Sequence, residues 1–147
     1  MEQQTAILRM LMRNSRMSYA EVARELGCSR AHAREQVQRL VEDGVIEQFT
    51  VVLNPDKLGR TVSAFLDVEV APKGLEAAAE ELAATDEVVS LYIMSDMRSL
   101  HIHTLTADNA GLDRFIREHL LGRDHIVRLD CKLLMERVKH RRGGPRL

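Results

Sequence analysis

Only three residues, Gly27, Cys28 and Ser29, separate two stretches with helical apolar spacing, and this short gap constrains the chain more than any other feature. Upstream, Ser18 and Glu21 form an S-x-x-E capping box, in which each residue satisfies the other's free backbone N–H. Tyr19, Val22, Ala23 and Leu26 then supply one buried side. Gly27 can take the left-handed conformation that ends a helix, and Ser29 can cap the next one. In the stretch that follows, Ala33, Val37, Leu40 and Val41 are spaced i, i+4, i+7 and i+8, the core stripe of a helix over 29–43 that Gly44 stops. A further helix over 4–14, with Ile7, Leu8 and Leu11 as its stripe, completes a three-helix unit whose last two helices read as a helix-turn-helix. "VIEQFTVVLN" (45–54) reads as strand by its β-branched residues, and a strand pair there would form a small wing.

Opposite the stripe of the 29–43 helix lie Ala31, His32, Glu35, Gln38 and Arg39, with Arg30 and Arg34 nearer the flanks. In a helix-turn-helix this face enters the major groove, where its first residues reach base edges and flanking arginines hold phosphates. Gln38 and Arg39 have the donor geometry for bidentate contacts to adenine or guanine. Glu35 can accept from cytosine, or pair with Arg39 at i+4 and orient it. The alternative is a three-helix cap with an ordinary solvated face. The turn, the capping box and the wing-like strands favour DNA.

Beyond a boundary at 54–60 the element types alternate. Strand over 61–71, with Val62, Ala64, Leu66, Val68 and Val70 on one face, is followed by an alanine- and glutamate-rich helix over 73–85. Strands over 87–94 and 100–106, a helix over 108–121 capped by Asp108, and a strand over 125–138 complete a βαββαβ order, that of a ferredoxin-like sandwich. The chain is thus expected to be α+β: a winged helix-turn-helix domain at 1–54, a linker at 55–60, a ferredoxin-like domain at 61–138 and a basic tail at 139–147. Helices would cover one face of the sheet, and a second copy of the chain is the simplest cover for the other.

Composition removes several classes. A formal net charge of −1 hides an acidic middle and a tail with four basic residues and no acidic one, so it does not exclude a basic face for nucleic acid. Aromatic residues make up 3% of the chain, which argues against a base-stacking single-strand binder. Two distant cysteines make no disulfide framework and suit a reducing cytosol. The N-terminus is not a signal peptide, and no apolar run approaches a membrane span, so a cytoplasmic protein without a membrane partner is expected. No nucleophile set, P-loop or G-x-G-x-x-G appears, so no catalytic residue, cofactor or metal is assigned. Glu80 and Glu81 look like a solvated helix face.

The stretch from 14 to 59 carries "R-x-S-Y-x-E-V-A", "L-G-x-S", "V-x-R-L-x-x-x-G-V-I" and "N-P-x-x-L-G". With these motifs the chain resembles the Lrp/AsnC (feast/famine) transcription regulators, and the βαββαβ half matches their effector and assembly (RAM) domain in element order. The resemblance implies a prokaryotic regulator that binds double-stranded DNA, forms homodimers that build octamers, and in some members senses amino acids. It makes 29–43 the recognition helix, with Ser29, Arg30, Ala31, His32, Arg34, Glu35, Gln38 and Arg39 at DNA, and Ser18 and Tyr19 as backbone contacts. After the second strand of the effector domain the family has a T-G-D-Y-D-like turn at its amino-acid pocket. Here the turn is "SDMRS" (95–99), which places Asp96, Met97, Arg98 and Ser99 at the effector position. The glycine and both acidic positions are changed, so either the turn binds nothing or its effector is not a common free amino acid. The usual L-D-x-x-D opening is also replaced, by "MEQQTA".

His101 and His103 share one strand face and raise an alternative of another class. Some tetrapyrrole (sirohaem-type) decarboxylases share this fold and use histidines and arginines in the effector domain. A haem or metal site would need a third ligand such as His119, His125 or Cys131, and the clear recognition helix argues against it. Interface histidines are the plainer reading. Cys28 fills the turn, or senses redox state beside a helix N-terminus. Met94 and Met97 pad the hairpin. Arg141, Arg142 and Arg146 add phosphate contacts or stay solvated.

Overall fold

The computed structural model describes residues 2–60 and 62–138, and the basic tail lies outside them. The chain divides between Val52 and Leu53 into two compact units.

The first unit holds α1 (Glu2–Arg13), α2 (Tyr19–Leu26) and α3 (Arg30–Glu42). Its core is built from Ile7, Met10, Leu11, Val22, Ala23, Ala33, Val37 and Leu40, with Leu8, Tyr19, Leu26, Cys28 and Ile46 packed at the margin. The caps form as the sequence requires. Ser18 and Glu21 make the full capping box, and Gly27 ends α2 at φ 64°, ψ 33°. Ser29 caps α3 by accepting the His32 N–H at 3.1 Å. Val41, expected in the core stripe, is instead 43% exposed. At 100° per residue it stands about 70° from the centre of the stripe that Ala33, Val37 and Leu40 define.

The strand expected over 45–54 does not form among the described residues. Gly44, at φ 69°, turns the chain, and the Ile46 N–H donates to the Leu40 carbonyl at 2.9 Å. From there the backbone runs without a ladder partner, leaving Phe49, Val51, Val52 and Leu53 between 53% and 76% exposed. β-branched residues make a segment fit for a sheet, but a strand needs a neighbour to exchange hydrogen bonds with.

The second unit holds β1 (Val62–Val70), α4 (Leu75–Ala83), β2 (Val88–Ile93), β3 (Ser99–Thr106), α5 (Asn109–His119) and β4 (Ile126–Leu133). Single 3-10 turns at Asp56–Leu58 and Pro72–Gly74 precede β1 and α4. The sheet order is β2-β3-β1-β4 with every neighbouring pair antiparallel. This is the ferredoxin-like arrangement the element order implies. Strand β4 stops at Leu133, opposite Ala64 and five residues short of the expected end, with one more hydrogen bond beyond it from the Leu134 N–H to the Ser63 carbonyl at 2.8 Å.

Alternation decides the two faces. Ala64, Leu66, Val68 and Val70 of β1 and Leu100 and Ile102 of β3 point at the helices. Leu75, Ala78 and Leu82 of α4, Phe115 of α5 and Leu120 close over them. The opposite face carries Phe65, Asp67, Tyr92, His101 and His103, and neither helix covers it.

Candidate nucleic-acid interface

The buried side of α3 carries much of the first unit's core, so its other side must face solvent. Arg30, Ala31, Arg34, Glu35, Gln38 and Arg39 are all exposed there. The first five, with Tyr19 at the start of α2, line a shallow recess between the two helices. Arg30, Arg34 and Gln38 have no ion-pair or hydrogen-bond partner among the described residues, so their donors are available to a ligand. Arg39 is paired: its Nη2 donates to Glu35 Oε1 at 3.0 Å, with both side chains more than half exposed.

Three of the expected contacts have further duties. His32 is half-buried, and Gln3 of α1 places its amide 3.5 Å from the His32 ring nitrogen, so the ring already has a neighbour on another helix. Ser18 donates its hydroxyl to Glu21 Oε2 at 2.7 Å and accepts the Glu21 N–H at 3.3 Å, so its side chain belongs to the cap. The Ser18 backbone N–H and hydroxyl together hold the Glu21 carboxyl below the usual carboxylate range. Ser29 accepts at its own cap but keeps its hydroxyl proton to donate.

The turn between β2 and β3 is closed on itself. Asp96 accepts from the backbone N–H groups of Arg98 at 3.0 Å and Ser99 at 2.9 Å, and from the Ser99 hydroxyl. These contacts, the Ser99 hydroxyl first, depress the Asp96 pKa. Arg98 reaches back to Glu69 of β1 at 2.9 Å. Both charges at this turn therefore already have partners. Met97 sits at φ 53°, in the left-handed region that favours glycine, and is 60% exposed. The positive φ falls one position after Asp96, the residue aligned with the family's glycine. Met97→Gly is expected to stabilise the fold by about 0.5 kcal/mol, relief of left-handed strain outweighing the added freedom of the unfolded chain. Met97→Ala should change little. Urea midpoints of the two variants check the difference.

On the open sheet face, Phe65 stacks on His103 with ring centres 4.5 Å apart and on His101 at 5.6 Å. His101 Nδ1 contacts Asp67 Oδ1 at 2.7 Å, and His103 Nε2 contacts Ser63 Oγ at 2.7 Å. The His101 contact, with a smaller one from Lys132, lowers the Asp67 pKa. His119 packs on Phe115 on the helix side, and Cys131 pairs opposite Leu66, whose side chain points the same way. The sheet thus separates His119 and Cys131 from His101 and His103, while His125 lies against Gly74 beyond the end of β1. Among the described residues no group of three His, Cys, Asp or Glu side chains is placed to hold a metal. Burial, then the charge of Asp130, pushes the Cys131 thiol pKa up. Cys28 packs half-buried against the helical core. No helix among the described residues is long and apolar enough to cross a membrane.

Caps, a short glycine turn and a basic-flanked exposed helix, on a chain that continues into a βαββαβ sandwich, define a helix-turn-helix DNA-binding regulator. Residues 2–47 match a winged helix-turn-helix DNA-binding family, and residues 63–143 match the Lrp/AsnC ligand binding domain. The chain belongs to the Lrp/AsnC family of transcription regulators. An uncharacterized HTH-type transcriptional regulator of Pyrococcus horikoshii is 35% identical over 88% of this chain and 82% of its own length. Among solved structures, Escherichia coli AsnC has a TM-score of 0.87 at 23% identity, covering 97% of this chain and 96% of that one. A transcriptional regulator of Neisseria meningitidis, solved as a complex with L-Met, has a TM-score of 0.86 at 18% identity, covering 99% and 96%.

Proposed function

We propose that this regulator reads duplex DNA through the exposed side of α3. Arg30 and Arg34 on one flank and Arg39 on the other meet phosphates or guanine, Ala31, Glu35 and Gln38 face base edges, and Tyr19 and Ser29 contact the backbone. The carrying observation is that three arginines flank a helix face with no basic residue along its centre, while the reverse face of that helix is core. That arrangement suits a groove walled by phosphate and floored by donors and acceptors. The second domain joins two copies through its open sheet face, where Phe65, Tyr92 and two histidines lie uncovered by either helix, and dimers then assemble into larger even oligomers such as octamers. The protein's place is the cytoplasm, with its DNA target. Any effector at 95–99 meets a turn whose carboxylate and guanidinium are already engaged, so it is not expected to be a common free amino acid.

Fluorescence anisotropy of the full chain on labelled duplexes at increasing salt tests the DNA reading, followed by selection from a randomised duplex library. The expected slope of log K against log salt is about −4 or steeper for a dimer, since each neutralised phosphate contributes about −0.9. The library should yield a two-fold symmetric motif. A slope near zero with no enriched motif would overturn the assignment of α3 as the reading surface.

A further inference from the structure

The acidic residue at the middle of the recognition surface is out of place if the surface only needs to hold DNA. Phosphates repel a carboxylate, and Glu35 costs affinity at every sequence unless a base repays it. On the helix, Ala31, Glu35 and Gln38 run along the centre of the exposed side, with the arginines displaced to its edges. Glu35 therefore faces the floor of the groove rather than its walls. Its partner Arg39, one turn on, engages Oε1 at 3.0 Å, and Oε2 has no partner among the described residues. The pair biases the carboxylate's orientation and leaves one acceptor oxygen available. In the major groove, cytosine N4 offers a donor with no acceptor of its own base beside it, adenine N6 offers one beside the N7 acceptor that repels a carboxylate, and guanine and thymine present only acceptors on that edge.

We infer that Glu35 is a specificity-determining residue that accepts a hydrogen bond from the N4 amino group of a cytosine, with Arg39 as the residue that positions it. This rests on α3 being the reading surface. Glu35 thereby sets sequence preference at the expense of general affinity.

The test is a selection from a randomised duplex library with the full-length wild type, Glu35→Gln and Arg39→Ala, followed by affinities for duplexes that differ at one base pair per half-site. All substitutions are on exposed positions, and melting curves verify that the variants stay folded. Wild type should favour C over other bases at one position in each half-site by about tenfold. Glu35→Gln should shift that preference to A, which a glutamine amide can bind through N6 and N7. The same substitution should raise affinity for a non-specific duplex a few-fold, since it removes a negative charge from a surface that meets phosphates. Arg39→Ala should weaken binding to all sequences and reduce the preference for C without abolishing it, because the carboxylate remains but is no longer held by its partner. An unaltered preference in Glu35→Gln overturns the inference. A preference for C in Arg39→Ala equal to that of wild type overturns the positioning role of Arg39. If wild type enriches no motif at all, the reading surface itself is wrong, and the inference falls with it.

Discussion

Replacing Arg34 and Arg39 together by alanine is expected to lower affinity for a selected duplex by about a hundredfold or more. Each arginine bond to a base or phosphate is worth roughly 1–3 kcal/mol, and the proposed dimer would be deprived of the pair twice. The fold should survive. Both residues lie on the exposed side of α3, and the Glu35–Arg39 pair, more than half exposed at each end, contributes little to stability in water. Binding by anisotropy at fixed salt, beside size-exclusion and melting curves, separates the two effects. The salt slope should also become shallower by about one for each phosphate that the variant no longer neutralises. Undiminished binding by a folded double variant would show that DNA is held by another surface.

Phe115→Ala should have the largest effect on the fold. Phe115 is 2% exposed and stands among Leu66, Leu100, Ile102 and Leu120, where α5 lies on the sheet. Removing the ring forfeits its burial and leaves a void that a sheet pinned on both sides of β1 cannot collapse to fill. The expected cost is about 3–5 kcal/mol. That is a large part of the roughly 5–15 kcal/mol by which a typical domain is stable. Urea unfolding at one fixed protomer concentration measures it, since association would shift the midpoint. Phe115→Leu, which keeps most of the volume, should cost no more than about 1.5 kcal/mol.

The sequence proved most legible where the physics is local. The caps at Ser18 and Ser29, the stop at Gly27 and the Glu35–Arg39 pair each involve residues no more than four apart, so spacing alone exposes them. The βαββαβ order was legible for a related reason, since strand and helix periods differ and each segment declares its own. Identifying His32 as a DNA contact from the helix wheel failed to anticipate its contact with Gln3, twenty-nine residues away on another helix. The 95–99 turn was singled out by the family resemblance, between two strands legible in the sequence. That its aspartate is consumed by its own backbone, and that Arg98 is tied to Glu69, depends on how the hairpin closes against β1.

What the sequence by itself determined, then, is where helices begin and end, which side of each is apolar, and that His101 and His103 share a face. Short-range hydrogen bonds and side-chain period dictate these, and both are written in neighbouring residues. The tertiary structure alone decided that 45–54 stays unpaired within one chain, that Val41 falls outside the core, and that Phe65, Asp67 and Ser63 surround the two histidines. Each of those outcomes depends on what segment of chain lies alongside, and proximity between residues 34 to 40 positions apart is created by folding.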